Sequence, residues 1–236
     1  MPRTARGTRT KRHASAAGEP IGNGPRLGEV AYRRILEGLF DRRISAGSFI
    51  SQNELVRLLD LPIQPLRDAL RVLETEGILK IHPRSGIEFL KADLELARST
   101  YQFRSIIERS AVRAYAETAD ANEIARLIDM HHALLEQLEI DSAEECVDAM
   151  EELEQQFHSS IIASLRNPMI ETTARRLKNY VAVIRLDVTA TAPRMVRTIR
   201  EHLDVLQACE ARDQEAAEAA LAHHFQAALQ RILGMV

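Results

Sequence analysis

The sequence predicts a mainly α-helical protein. A small module of three helices and two short strands occupies residues 27–90, and an antiparallel bundle of about six helices occupies residues 91–236. Three observations carry this reading. Aliphatic residues and alanine dominate, aromatics make up only 4% of the 236 residues and tryptophan is absent, which favours helix packing over a β-sandwich or barrel. Apolar residues recur at helical spacing along most of the chain, and the period changes only near residues 78–90. The stops between the periodic stretches hold good helix caps.

The net charge of −3 hides a gradient. Residues 1–26 carry six Lys or Arg and one Glu, residues 27–90 carry nine of each sign, and residues 91–236 carry sixteen against twenty-four. The first segment, "MPRTARGTRTKRHASAAGEPIGNGP", is poor in apolar residues and rich in Gly, Pro and Ser, which predicts a disordered basic leader. Beside a nucleic-acid-binding module such a leader adds attraction to phosphates of any sequence. No apolar run approaches the roughly 18 residues of a membrane span, and the N-terminus lacks the apolar core of a signal peptide. Cys146 and Cys209 form no CxxC pair and cannot build a thiolate zinc site alone. A soluble, cytoplasmic protein is expected.

"GEVAYRRILEGLF" opens the first module as an amphipathic helix with Val30, Ile35, Leu36 and Leu39 on one face. "SQNELVRLLD" follows, with Ser51 and Glu54 at capping-box spacing. "LP" turns the chain into "IQPLRDALRVLETEGIL", a third helix that points Leu66, Ala69, Leu70 and Leu73 inward and stops at Gly77. "ILKI", "HPRSG" and "IEFL" then read as two strands around a turn, a wing that carries Arg84 beside a glycine able to let backbone approach a groove. The expected topology is a winged helix-turn-helix.

From Lys91 onward, helices are predicted near residues 93–117, 121–139, 143–165, 168–189, 194–211 and 214–233. Asp120, Ser142, Asn167 and Asp213 serve as caps, and Pro168 and Pro193 suit first turns. In "LEQQFHSSII", Glu154 and His158 stand four residues apart and share a face that the surrounding apolar residues make inward. By itself this is as well explained by a hydrogen-bonded pair at the edge of a core. His202 and His224 also lie on apolar stripes, each eleven residues from the turn at Asp213. Antiparallel pairing at a 1.5 Å rise then sets them at one height, roughly 16 Å along. Three imidazoles and a carboxylate on three inward stripes predict a site for one divalent metal ion per chain: Glu154, His158, His202 and His224. Zinc, nickel, manganese and iron all suit these ligands. His223 is expected outside, and His131 and His132 on the surface.

Two resemblances follow from these residues. "LDLPIQPLRDALRVLETEGILKIHPRSGIEF" is similar to the DNA-binding domain of GntR-type bacterial transcription regulators, with Leu66, Arg67, Asp68, Ala69, Leu70, Leu73, Glu74, Glu76 and Gly77 in register. The likeness implies DNA contacts from Asn53, Gln64, Arg67, Arg71, Arg84 and Gly86. Pro62, Ile63 and Gln64 replace the family's usual Ser-Arg-Thr, so the capping serine and one basic reading residue are missing and an unusual operator is expected. "EQQFH" and "REHLDVLQACEARDQEAAEAALAHH" resemble the FCD ligand-binding domain of the FadR-like branch, in which an Asp and three histidines surround a metal. Here Glu154 stands for the aspartate. "RSIIERSAVRAYA" resembles that domain's opening helix, with Arg104 and Glu108 in register.

The expectation is a homodimeric transcription regulator that is not an enzyme. It binds an inverted-repeat DNA operator, and a small carboxylate metabolite at the metal, paired by Arg104 and Arg185, controls it. The rival is a metal-dependent hydrolase with an appended DNA-binding module, since open metal positions also activate water.

Overall fold

A computed structural model of the chain describes residues 27–234; the predicted basic leader lies outside them. Nine helices and one three-stranded sheet are present among these residues. The first module begins with α1 (Leu27–Phe40), β1 (Phe49–Ile50), α2 (Gln52–Leu59) and α3 (Ile63–Thr75). Strands β2 (Leu79–His82) and β3 (Gly86–Phe89) complete it. The predicted wing pairs antiparallel with Ile81 opposite Ile87, and β1 adds a third strand the periodicity did not reveal, in sheet order β1-β3-β2. Two residues are too few for a period to be read.

Ser51 and Glu54 form the expected capping box, with Ser51 N–H donating to Glu54 Oε2 at 2.8 Å. Helix α3 starts at Pro62, which caps it with no side-chain hydrogen bond. Leu66, Ala69, Leu70 and Leu73 are all buried, as their spacing predicts, against Ala31, Ile35 and Leu39 of α1.

The bundle consists of α4 (Leu94–Thr118), α5 (Ala121–Ile140), α6 (Val147–Ala163), α7 (Pro168–Arg185), α8 (Ala192–Glu210) and α9 (Gln214–Ile232). Asp120, Asn167 and Asp213 cap α5, α7 and α9 with their side chains. Ser142 does not start α6. It and Glu145 exchange capping-type hydrogen bonds, but these close a separate turn, and α6 begins only after Cys146, which is fully buried. Helix α7 ends at Arg185, four residues earlier than its pattern suggests. No helix among the described residues is long and apolar enough to cross a membrane.

Helix α7 also reaches the first module. Val183, 1% exposed, belongs to the core of the first module, and Tyr180 and Leu186 pack against that core.

Candidate functional site

All six bundle helices meet at one polar cluster. His158 of α6, His202 of α8 and His224 of α9 each present a ring nitrogen, and the three nitrogens lie within 4.8 Å of one another. The His202 and His224 rings have centroids 4.6 Å apart, so the two stripes meet at one height as the turn at Asp213 predicts. Phe157 stacks on the His202 ring at 3.9 Å and 10°, fixing its plane.

The protonation of each ring follows from its second nitrogen. His131 Nδ1 donates to the Leu127 carbonyl at 2.6 Å, since a carbonyl only accepts. Burial, opposed by that carbonyl, lowers the His131 pKa to about 4, so the ring is neutral and its Nε2 is a lone pair. That lone pair accepts from His202 Nδ1 at 3.1 Å. His158 Nδ1 donates to Glu108 Oε2 at 2.5 Å, and His224 Nδ1 donates to Glu201 Oε2 at 2.9 Å. Each of the three rings therefore carries a hydrogen on Nδ1 and turns its Nε2 away from that partner. The Nε2 atoms of His158 and His202 are buried with no partner. An orphaned buried acceptor costs about 1–3 kcal/mol, and a ligand that needs lone pairs removes that cost. Neutral imidazoles whose far N–H is held by a carboxylate or another acceptor are the usual arrangement around zinc and similar ions, so the residues present fit a divalent metal.

The carboxylates around the rings are in turn held by arginines. Burial works against ionised Glu108, but Arg104, at 2.8 Å, and His158 outweigh it and hold the carboxyl down at about 2. Burial likewise opposes ionised Glu201, and Arg231 with His224 keeps it at about 2; Arg231 reaches both oxygens at 2.5 and 2.7 Å. Glu154 lies beside the cluster, with Oε2 3.7 Å from His158 Nε2, and accepts from Arg185 Nη2 at 2.9 Å. Arg104 and Arg185, the two residues expected to pair an effector, thus each already hold a carboxylate.

His131 corrects the sequence reading. It is fully buried and orders His202, whereas His132 is exposed. Its burial was legible, because Ile124, Leu127, His131 and Leu134 form one helical stripe on α5. Glu201 and Arg231 were also missed. Arg231 continues the buried stripe of Leu221, His224 and Ala228, while nothing local distinguishes Glu201.

On the first module, Asn53, Gln64, Arg67, Arg71 and Arg84 are exposed and Gly86 is half-buried. Gln64 donates to Asp68 at 3.1 Å, and Arg67 Nε donates to Gln52 Oε1 at 3.1 Å. Gln52 lines a shallow groove with Arg84 and Gly86, so α2, α3 and the wing share one face. Gly86 has a structural reason of its own. Its φ is 122°, and a Cβ there would meet the Ile50 carbonyl at 3.0 Å, so the third strand requires a glycine.

Residues 27–89 match the bacterial regulatory proteins of the gntR family and residues 99–227 match the FCD domain. The Nta operon transcriptional regulator of Aminobacter aminovorans is 31% identical over 193 residues, covering 80% of this chain and 89% of its own. Among solved structures, McbR/YncC of E. coli superposes with a TM-score of 0.75 at 17% identity, covering 90% of this chain and 99% of that one. A GntR transcriptional regulator from Rhodococcus sp. RHA1 superposes with a TM-score of 0.71 at 18% identity, covering 89% and 98%.

Proposed function

The chain belongs to the gntR family of bacterial regulatory proteins and carries an FCD domain, and on that premise we propose that it is a regulator whose grip on DNA answers to a small organic acid held at a metal. It is a DNA-binding transcription regulator; the metal and the acid are the added reading. Residues 27–90 read the operator and residues 91–236 hold metal, effector and partner subunit. The observation that carries the proposal is the convergence of three imidazoles, with ring nitrogens within 4.8 Å of one another and the Nδ1 of each ring engaged by a hydrogen bond.

Glu154, His158, His202 and His224 would hold one divalent ion per chain, zinc, nickel, manganese or iron. Bound there, the ion would supply open coordination positions to a ligand carboxylate. Arg104 and Arg185 lie where the second charge of that ligand would need a partner, once either exchanges its present carboxylate.

A binding role is favoured over hydrolysis by the state of the neighbouring carboxylates. Glu108, Glu154 and Glu201 each sit against an arginine with their pKa lowered, so none is poised as a base near neutral pH. Dimerisation is supported by α4, which leaves Phe103 and Ile106 exposed one turn apart on one face. Two copies would set two reading helices on an inverted repeat.

The test is an anisotropy titration on a duplex selected from a random pool, with metal-free protein, zinc-loaded protein, and zinc-loaded protein plus a panel of organic acids. An acid that shifts operator affinity only in the presence of metal supports the reading. Selection of no duplex, or affinity indifferent to metal and to every acid, overturns it.

A further inference from the structure

The two ends of one stretch of α7 touch two different things. At its last residue, Arg185 donates to Glu154 beside the three imidazoles. Earlier on the same helix, Tyr180 donates its hydroxyl to the Glu76 carbonyl at 2.5 Å and Arg176 Nη2 donates to the Thr75 carbonyl at 2.9 Å. Those are the last carbonyls of α3, the groups a helix cannot satisfy by itself. Asn179 donates to the Tyr32 hydroxyl at 2.9 Å, which in turn donates to the Glu76 carboxylate at 2.7 Å. Arg42 of the first module also donates to the Leu186 carbonyl, one residue beyond Arg185. The C-terminal end of the reading helix is thus capped by the helix that carries Arg185. From Arg176 to Arg185 the distance is about 14 Å at 1.5 Å per residue, short enough for a helix to move as a rod.

We propose that the Glu154–Arg185 ion pair is an exchangeable clasp through which an acidic ligand at the three-imidazole cluster is felt at the end of α3. The identity of the ligand rests on the reading above; the clasp does not. A ligand carboxylate that takes Arg185 replaces one anion by another, so the guanidinium keeps a partner. The released Glu154 lies 3.7 Å from His158 Nε2, on the side where the proposed ion would take its charge. Arg185, re-aimed, carries α7 with it, and the Tyr180 and Arg176 contacts pass the displacement to the Thr75 and Glu76 carbonyls. A ligand alters DNA affinity only if it favours one arrangement of the two modules, and this helix is the element that both sites hold.

The experiment is hydrogen exchange on the full chain, stripped of metal, reading amides across residues 75–82. Glu154→Gln is the clearest variant, because Arg185 is partly exposed and finds water when its partner loses charge. It is expected to speed exchange at the end of α3 about fivefold or more, with α2 unchanged. Tyr180→Phe, which leaves the cluster intact, is expected to do the same, and Glu154→Gln added to Tyr180→Phe is expected to add little. Wild-type rates in Glu154→Gln, or full additivity of the two substitutions, overturn the clasp. Zinc with citrate, added to the wild type, should reproduce the Glu154→Gln pattern; binding seen by thermal shift with the end of α3 unmoved also overturns it. If neither probe binds, the proposed ligand falls, and the two variants still decide the clasp.

Discussion

His131 accepts the Nδ1 hydrogen of His202 at 3.1 Å while donating its own to the Leu127 carbonyl. A main-chain carbonyl of α5 therefore determines which nitrogen of a histidine on α8 is free. Losing such an outer partner commonly weakens a metal site about 10- to 100-fold. His131→Leu is expected to lower zinc affinity by that order in a chelator competition, and His132→Leu, on the exposed face, to leave it unchanged. Equal affinity in both variants would remove His131 from the site.

The proposed ligands should respond more strongly. His158→Ala and His224→Ala are expected to abolish stoichiometric metal in gently purified protein by elemental analysis. Glu154→Gln should lower it less, since three imidazoles remain and Glu154 is already held by Arg185. Acidification should release the ion because neutral imidazoles are required. Metal content indifferent to all three substitutions would return these histidines to an ordinary core.

What the sequence made visible was what a single helix displays. The stripes that bring His158, His202 and His224 inward, and the turn at Asp213 that sets two of them level, are local periodicity and geometry. Residues that act across helices were opaque. Glu201 and Arg231 are 30 residues apart and hold each other through packing that no periodicity states. Arg104 and Arg185 were recognisable as charges near the cluster, but the carboxylates they already hold come only from the fold. The turn before α6 misled for a different reason: Ser142 and Glu145 do form capping hydrogen bonds, but these close a separate turn and the helix begins only after the buried Cys146.

Gly77 faces the Tyr180 hydroxyl of the bundle. Its φ is +79°, and a Cβ there would clash with the Tyr180 hydroxyl oxygen. Gly77→Ala is expected to cost roughly 1–3 kcal/mol from the left-handed backbone and the clash together. Adding Tyr180→Phe removes the clashing oxygen, so the double variant should unfold at higher denaturant than the sum of the two single losses predicts. Strict additivity would place the two residues apart in solution.

Tyr32 makes the contact between the modules sensitive to alkali. Burial, and then the Glu76 carboxylate that its hydroxyl meets, raise its pKa from 10.0 to about 12. The folded value lies above the unfolded one, so the contribution is complete below pH 10 and is lost as pH rises through 12. Wild-type stability relative to Tyr32→Phe should shrink across that interval, and denaturant midpoints at pH 9 and 11.5 measure it. A constant difference would show that the hydroxyl titrates as it does in water.

Arg67 and Arg84 should fail in different ways. Arg67 is exposed on α3 and donates to Gln52, and the proposed contact of its guanidinium with a guanine edge would be worth about 1–3 kcal/mol of discrimination. Arg67→Ala is therefore expected to weaken the selected operator and to relax preference at one position of each half-site. Arg84 is exposed at the turn of the wing, and its proposed partner is phosphate, which is the same in every sequence. Arg84→Ala should weaken all duplexes alike and reduce the dependence of log affinity on log salt by about 1 for each phosphate no longer neutralised. Anisotropy at several salt concentrations, on the operator and on single-position variants of it, separates the two. Loss of sequence preference in Arg84→Ala with none in Arg67→Ala would reverse the assignment and make the wing, instead of α3, the element that reads bases.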